Sequence, residues 1–299
     1  MAQNRNRSSR RSSHRSSGPV FVAPVLDPSW RSAYEVTSEE RQFRENALRR
    51  GALRRIGVFV GAAVVTAVIL SLVHLVLLGA AVLFAAAIYS AVALTGSARE
   101  REKVLGLAGD LVTRFDVGGT PADRQRLSTI VERLSASFGL DRVACMVVTE
   151  SVPNATLVVD RDGYSLVVTT GLMETFELIE IEGVVAHCFA RQRLGYLHLS
   201  AGVASSPDNR LIRRAFDRYC SDFALRADEI AAVTIRYPVG LAAALRRTAG
   251  IEVPEHSYFA TSAFDAERVV WFDPYIDGKG FAEGENNHAG VRASALEEW

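Results

Sequence analysis

Between Ile56 and Ala98 the chain carries no Asp, Glu, Lys or Arg, whereas on both sides of that run polar and apolar positions alternate at helix or strand periods. A single helix of that length would extend about 65 Å, roughly twice the hydrocarbon thickness of a bilayer. Two spans of about 20 residues are therefore expected, joined by a tight turn near Ser71 to Leu78 with His74 as its polar, interfacial residue. Gly57 and Gly61, four apart, predict close packing of the two spans. After the run, Val104, Leu105, Leu107, Leu111 and Val112, and then Leu127, Ile130, Val131 and Leu134, recur at helical spacing on either side of the break GGTPAD at 118–123. The β-branched runs RVACMVVTE at 142–150 and ATLVVDRDGYSLVVTTG at 155–171, the second split by Asp162-Gly163, predict a strand followed by a hairpin. Helical periodicity returns over 172–197 and 208–249, and from 251 onward Pro and Gly punctuation predicts irregular chain. Helices around a small sheet make the expected fold class α+β.

Charge divides the chain in a way its balance conceals. Lys plus Arg and Asp plus Glu both number 34, for a formal net charge of zero. Yet residues 1–55 are Arg-rich with few acids, and most acids lie beyond residue 100. The opening MAQNRNRSSRRSSHRSSG has no apolar core, so no cleavable signal peptide is expected, and it reads as a disordered basic arm. That arm has the charge to touch anionic lipid or nucleic acid; no specific nucleic acid is expected as a partner. Basic residues flank the apolar run at both ends, RRGALRR at 49–55 and Arg99, Arg101 and Lys103, which by the positive-inside rule predicts both termini on the cytoplasmic face of a plasma membrane. Three expected regions follow: 1–55 as arm and juxtamembrane segment, 56–98 as transmembrane hairpin, and 99–299 as the folded domain.

The three cysteines, Cys145, Cys188 and Cys220, are far apart and form no CxxC pair, which argues against a disulfide framework or zinc ribbon and for a reducing setting. His187 and Cys188 are adjacent, but neighbours on a helix diverge by about 100°, which disfavours a nucleophile and base pair. Arg191, three residues beyond Cys188, is expected to favour its thiolate.

Five segments carry a resemblance in their order: PNATLVVDRDGYSLVVTTGLM at 153–173, EIEGVVAHCFAR at 180–191, ALRADEIAA at 224–232, GLAAALRR at 240–247 and NNHAGVRASAL at 286–296. Together they resemble the HtpX-like integral-membrane metallopeptidases, whose members show a Pro-Asn-Ala strand, a helix of the form HExxH, a later ExxAD helix and a terminal His-Pro…Arg segment. The resemblance implies a zincin-like (gluzincin) domain over 99–299. It implies a zinc site on two helices, with Asp228 behind a ligand His and Asn154 and Ala155 on an edge strand that binds extended peptide by β-addition.

The chain departs from that pattern where the chemistry lies. A zinc of this kind needs two His one turn apart, a carboxylate from another helix and a Glu beside the first His. Here His187 remains, but the base position is Cys188, the second ligand position is Arg191 and the third is Ala224. Of the other histidines only His198 shares a plausible helix face with His187, and eleven residues of helix place it about 16 Å away. Cys220, one turn before Ala224 on the expected helix, is the nearest substitute ligand. Asp228 is expected to hold His187, to pair with Arg191, or to lie exposed near Arg226. The sequence thus predicts a membrane-anchored, catalytically inactive homologue without cofactor that binds or scaffolds proteins or peptides at the cytoplasmic membrane face. The alternatives are an active membrane zinc metalloendopeptidase with a substituted site, and a domain that assembles a membrane complex through its basic arm.

Overall fold

A computed structural model describes residues 36–279 and 285–298; the basic arm at 1–18 lies outside the described residues. The first helix, α1 (Ser38–Glu45), starts at a capping box in which Thr37 Oγ1 accepts from Glu40 N and Glu40 Oε2 accepts from Thr37 N, both at 3.2 Å. Two long helices follow, α2 (Ala47–Leu72) and α3 (Val76–Arg114), joined by Val73–Leu75 with His74 in the left-handed region at φ 62°. Both are long and apolar enough to cross a membrane, and most of their apolar surface is exposed, Leu77 to 89%. They extend beyond the apolar run, from Ala47 rather than Ile56 and on to Arg114, because the flanking Arg, Glu, Lys and Leu residues are good helix formers and contain no proline. The helices meet through Ala63, Ala67, Gly79 and Ala86, all buried, and through the Phe59 and Tyr89 rings at 4.3 Å. Gly57 and Gly61 have no atom packed over them, so the pair expected to join the spans does not do so. Small side chains at Ala63 and Ala67 sit one turn apart on the facing side of α2, and a Cβ at Gly79 would stand 3.1 Å from the Ala67 carbonyl.

Beyond the hairpin, Thr120 and Asp123 form a second capping box with Pro121 at the first helical position, starting α4 (Pro121–Phe138), which ends at Gly139 with φ 66°. Three strands follow: β1 (Val143–Val148), β2 (Ala155–Asp160) and β3 (Gly163–Thr169), in the order β1-β3-β2. The hairpin expected at Asp162-Gly163 pairs β2 and β3 antiparallel with Leu157 opposite Leu166, while β1 runs parallel to β3 with Cys145 opposite Leu166. Around this sheet lie α5 (Thr170–Thr175), α6 (Leu178–Arg193), α7 (Leu197–Ser205), α8 (Arg210–Tyr219), α9 (Phe223–Ile235) and α10 (Pro238–Ala249). The end of the chain, expected to be irregular, contains single 3-10 turns and two further helices, α11 (Ser262–Glu267) and α12 (Ala289–Glu297). The architecture is mainly helical with one small three-stranded sheet and two long apolar helices near its start.

Helix α6 is the axis of the domain. From Val184 to Ala190 every side chain is fully buried, and α6 crosses α10 where a Cβ on Gly183 would fall 2.8 Å from Leu241 Cα and one on Gly240 would fall 2.6 Å from the Ile179 carbonyl. One core joins α4, the sheet, α6, α9, α10 and α12. A second joins the polar end of α3 to α7 and to Phe259, Phe264 and Trp271. The strap 269–273 runs between them, antiparallel to β2.

Candidate functional site

The residues singled out in the sequence come from two helices and the start of one strand, and the structure adds Arg292 to them. Helix α6 carries His187, Cys188 and Arg191, and α9 carries Ala224 and Asp228. Helix α12 carries Arg292, and β2 begins at Ala155, with Asn154 just before it. All eight are fully buried.

Asp228 is the hub. Its Oδ1 accepts from His187 Nδ1 at 2.7 Å and from Arg292 Nη2 at 2.9 Å, and its Oδ2 accepts from Arg292 Nε at 2.6 Å. Burial pushes the Asp228 carboxyl up, but the Arg292 guanidinium and His187 outweigh it and hold it below its ordinary value. A carboxylate there requires a donor from the imidazole, so His187 carries its proton on Nδ1 and presents a bare lone pair at Nε2. Burial pushes His187 down to about 4, with the Asp228 charge opposing. Arg292 Nη2 therefore lies against Nδ1 at 3.2 Å as a contact, and its Nη1 donates to the Phe272 carbonyl at 2.8 Å. Nε2 is buried without a hydrogen-bond partner, and the Phe272 ring stands edge-on to the imidazole at 5.0 Å.

Arg191 does not reach Asp228. Its guanidinium turns to the strap and donates to the carbonyls of Val269, Val270 and Trp271. It also lies over the Phe223 ring at 5.6 Å. These carbonyls close the one-turn 3-10 helix at 268–270, where unpaired acceptors attract a cation. Burial lowers Arg191 to about 10, so it stays charged at neutral pH. Of the three places considered for Asp228, the pair with Arg191 and the exposed position near Arg226 are both overturned, because Arg292 occupies the carboxylate and Arg226 bonds Glu229.

The thiols depart from expectation as well. Burial pushes Cys188 up to about 12, and the opposing pull of Arg191 is too weak to favour the thiolate. Cys220 is likewise pushed up to about 12 by burial. It lies in the break between α8 and α9, not on the helix of Ala224, because Asp222 at φ 36° turns the chain before α9 begins. His198 is separated from the α6 helix by Gly195 at φ 75° and belongs to α7.

The edge offered by Asn154 and Ala155 is already paired. Phe272 N donates to the Ala155 carbonyl at 2.8 Å, and Thr156 Oγ1 donates to the Val270 carbonyl at 2.6 Å. The Asn154 side chain binds the Asp273 backbone in both directions, Nδ2 donating to its carbonyl at 3.0 Å and Oδ1 accepting from its N–H at 3.1 Å. An extended peptide expected at this edge therefore meets the chain's own strap, which satisfies the same backbone groups.

Donor chemistry at this point does not fit a zinc ion. His187 Nε2 is one lone pair; Arg191 is a cation, Ala224 has no donor, and Cys188 is a neutral thiol one residue around the helix. Among the described residues no group of three or more His, Cys, Asp and Glu side chains is placed to hold a metal ion. Comparison with protein families, curated proteins and solved structures gave no significant match.

Sequence reasoning missed the strap and the cover that Phe272 gives His187. A signal was present: VVWF at 269–272 is a short continuous apolar run bounded by Arg268 and Asp273-Pro274, the pattern of a strand buried on both faces.

Proposed function

We propose that this chain is a membrane-anchored, catalytically inactive relative of the HtpX-like metallopeptidases, and that it works as a protein scaffold at the cytoplasmic face of a membrane. In this reading the α2–α3 hairpin spans the bilayer, residues 99–299 form a degenerate zincin-like domain, and no zinc is required. The observation that carries it is the filling of the groove beside His187 by the chain itself. Arg191 neutralises the strap carbonyls, Phe272 covers the imidazole, and the strap occupies the edge of β2. Residues that would hold and activate a metal-bound water have become packing residues, while the buried Asp228 that orients His187 is kept. Scaffolding through the outer surface needs none of the lost groups.

The test is elemental analysis and proteolysis on the purified full chain in detergent. Zinc well below one ion per chain, unchanged by His187→Ala, together with no cleavage of unfolded casein, is the expected result. About one zinc per chain that disappears in His187→Ala would instead establish the active metalloendopeptidase.

A further inference from the structure

Helix α8, RLIRRAFDRY, buries Ile212 and Phe216 and carries four arginines against one acid, Asp217. At 100° per residue Arg210, Arg214 and Arg218 fall on the side opposite Ile212, with Leu211 at the flank of that arginine face. All four arginines are exposed, and Leu211 beside their face is 47% exposed. Among the described residues none of these guanidinium groups meets a carboxylate; Arg218 lies only over the Tyr219 ring at 5.6 Å.

This helix is fastened to the base of the apolar hairpin at its start and to α1 at its end. Asn209, its cap, donates from Nδ2 to Glu100 Oε1 at 2.6 Å, and Tyr219 meets the Phe43 ring of α1 at 5.5 Å. Between them, a Cβ on Gly202 would touch both Leu48 of α2 at 3.1 Å and Ile212 of α8 at 3.2 Å. Glu100 is two residues past the apolar run, about 3 Å along α3, whereas Leu48 is eight residues before the run, about 12 Å along α2. The polar layer of a bilayer leaflet is roughly 5–8 Å deep, so the Asn209 end of α8 lies at headgroup depth when the hairpin spans, and the long arginine side chains of the following turns extend toward it. Arg54, Arg55, Arg99 and Arg101 are exposed at the same level.

We infer that α8 is a headgroup-binding helix: Arg210, Arg214 and Arg218 hold the phosphates of anionic phospholipids while Leu211 inserts among the upper acyl chains. Complementary charge selects the lipid, since each arginine near an anionic surface contributes attraction that neutral lipid lacks. The inference rests on the membrane-spanning part of the proposed function and not on the state of the zinc site.

The experiment places a fluorophore at Leu211→Cys in a Cys145→Ser background, using the full chain in nanodiscs of phosphatidylcholine alone or with roughly a third phosphatidylglycerol. Lipids bearing a headgroup nitroxide serve as quenchers. Quenching several-fold stronger in the anionic discs is expected, with the excess removed by Arg214→Glu with Arg218→Glu or by about 0.5 M salt. Equal quenching in both discs, or none in either, overturns the inference, as does an RNA oligonucleotide that binds this helix in place of lipid. A second label at Leu77→Cys, read with an acyl-chain nitroxide, separates the two claims. Quenching at 77 without quenching at 211 overturns the headgroup assignment alone; its loss at 77 overturns the membrane reading and this inference together.

Discussion

Asp228, His187 and Arg292 show what a single buried charge requires. An isolated carboxylate in a dry interior is costly, and removing one partner of such a pair costs roughly 3–5 kcal/mol. Arg292 supplies three donors here, to both carboxylate oxygens and the Phe272 carbonyl, and His187 supplies a fourth. By contrast, the pair Arg246 to Glu297 at 2.6 Å is half exposed on both sides, where water and salt screen it and it adds little. The sign of the pH dependence follows from His187. Its value of about 4 lies below the ordinary 6.5, so in this window the unfolded chain binds a proton that the folded chain refuses. Its contribution is complete above about 6.5 and is lost as pH falls toward 4, to at most about 3 kcal/mol. Asp228 titrates below this window. Burial lowers His198 too, so the informative quantity is a difference. The fall in Tm from pH 7 to pH 4.5 should be smaller by several degrees in His187→Gln than in the parent chain; equal slopes would mean that His187 is not buried neutral.

At the scale of elements, the helices follow from periodicity and caps: Thr37 with Glu40, and Thr120 with Asp123, start helices by reciprocal bonds written in four residues of sequence. The β2–β3 hairpin follows from Asp162-Gly163 in the same local way. Tertiary pairing was harder to read. Whether β1 joins β3 or β2 depends on contacts across the domain, and the strap is recruited by Arg191, whose partners lie almost 80 residues away. Local pattern does not encode such a partner choice. In the candidate site, the sequence singled out the degenerate positions but not what fills the space they leave. The helix crossing at α6 and α10 gives a direct test of packing. Gly183→Val forces a side chain onto Leu241 backbone atoms already 2.8–2.9 Å from a modest Cβ, and should destabilise by about 3 kcal/mol. Gly109→Ala, inside the last turns of α3 with open space around it, should stabilise by roughly 0.5–1 kcal/mol. Chemical unfolding of the two variants checks both signs.

For the whole molecule the hairpin and the domain make one continuous body, since α3 passes from the apolar run into the second core through Val104, Leu107 and Leu111. No flexible linker separates them, so the orientation of the hairpin fixes that of the domain. Cys145 is exposed on β1, while Cys188 and Cys220 are buried, which makes topology measurable with a thiol reagent that does not cross membranes. If both flanks are cytoplasmic, Cys145 should resist labelling in intact cells and react after permeabilisation. A Val73→Cys variant in a Cys145→Ser background should react from outside. The opposite pattern would reverse the proposed orientation.

The strap carries a cost of timing. Strand β2 is synthesised more than a hundred residues before its neighbour at 269–273. Until those residues arrive, the edge of β2 has no neighbour for the N–H and C=O groups that the strap satisfies. An open edge of this kind pairs readily with another strand that reaches it. The strap, once made, satisfies those groups and closes the edge.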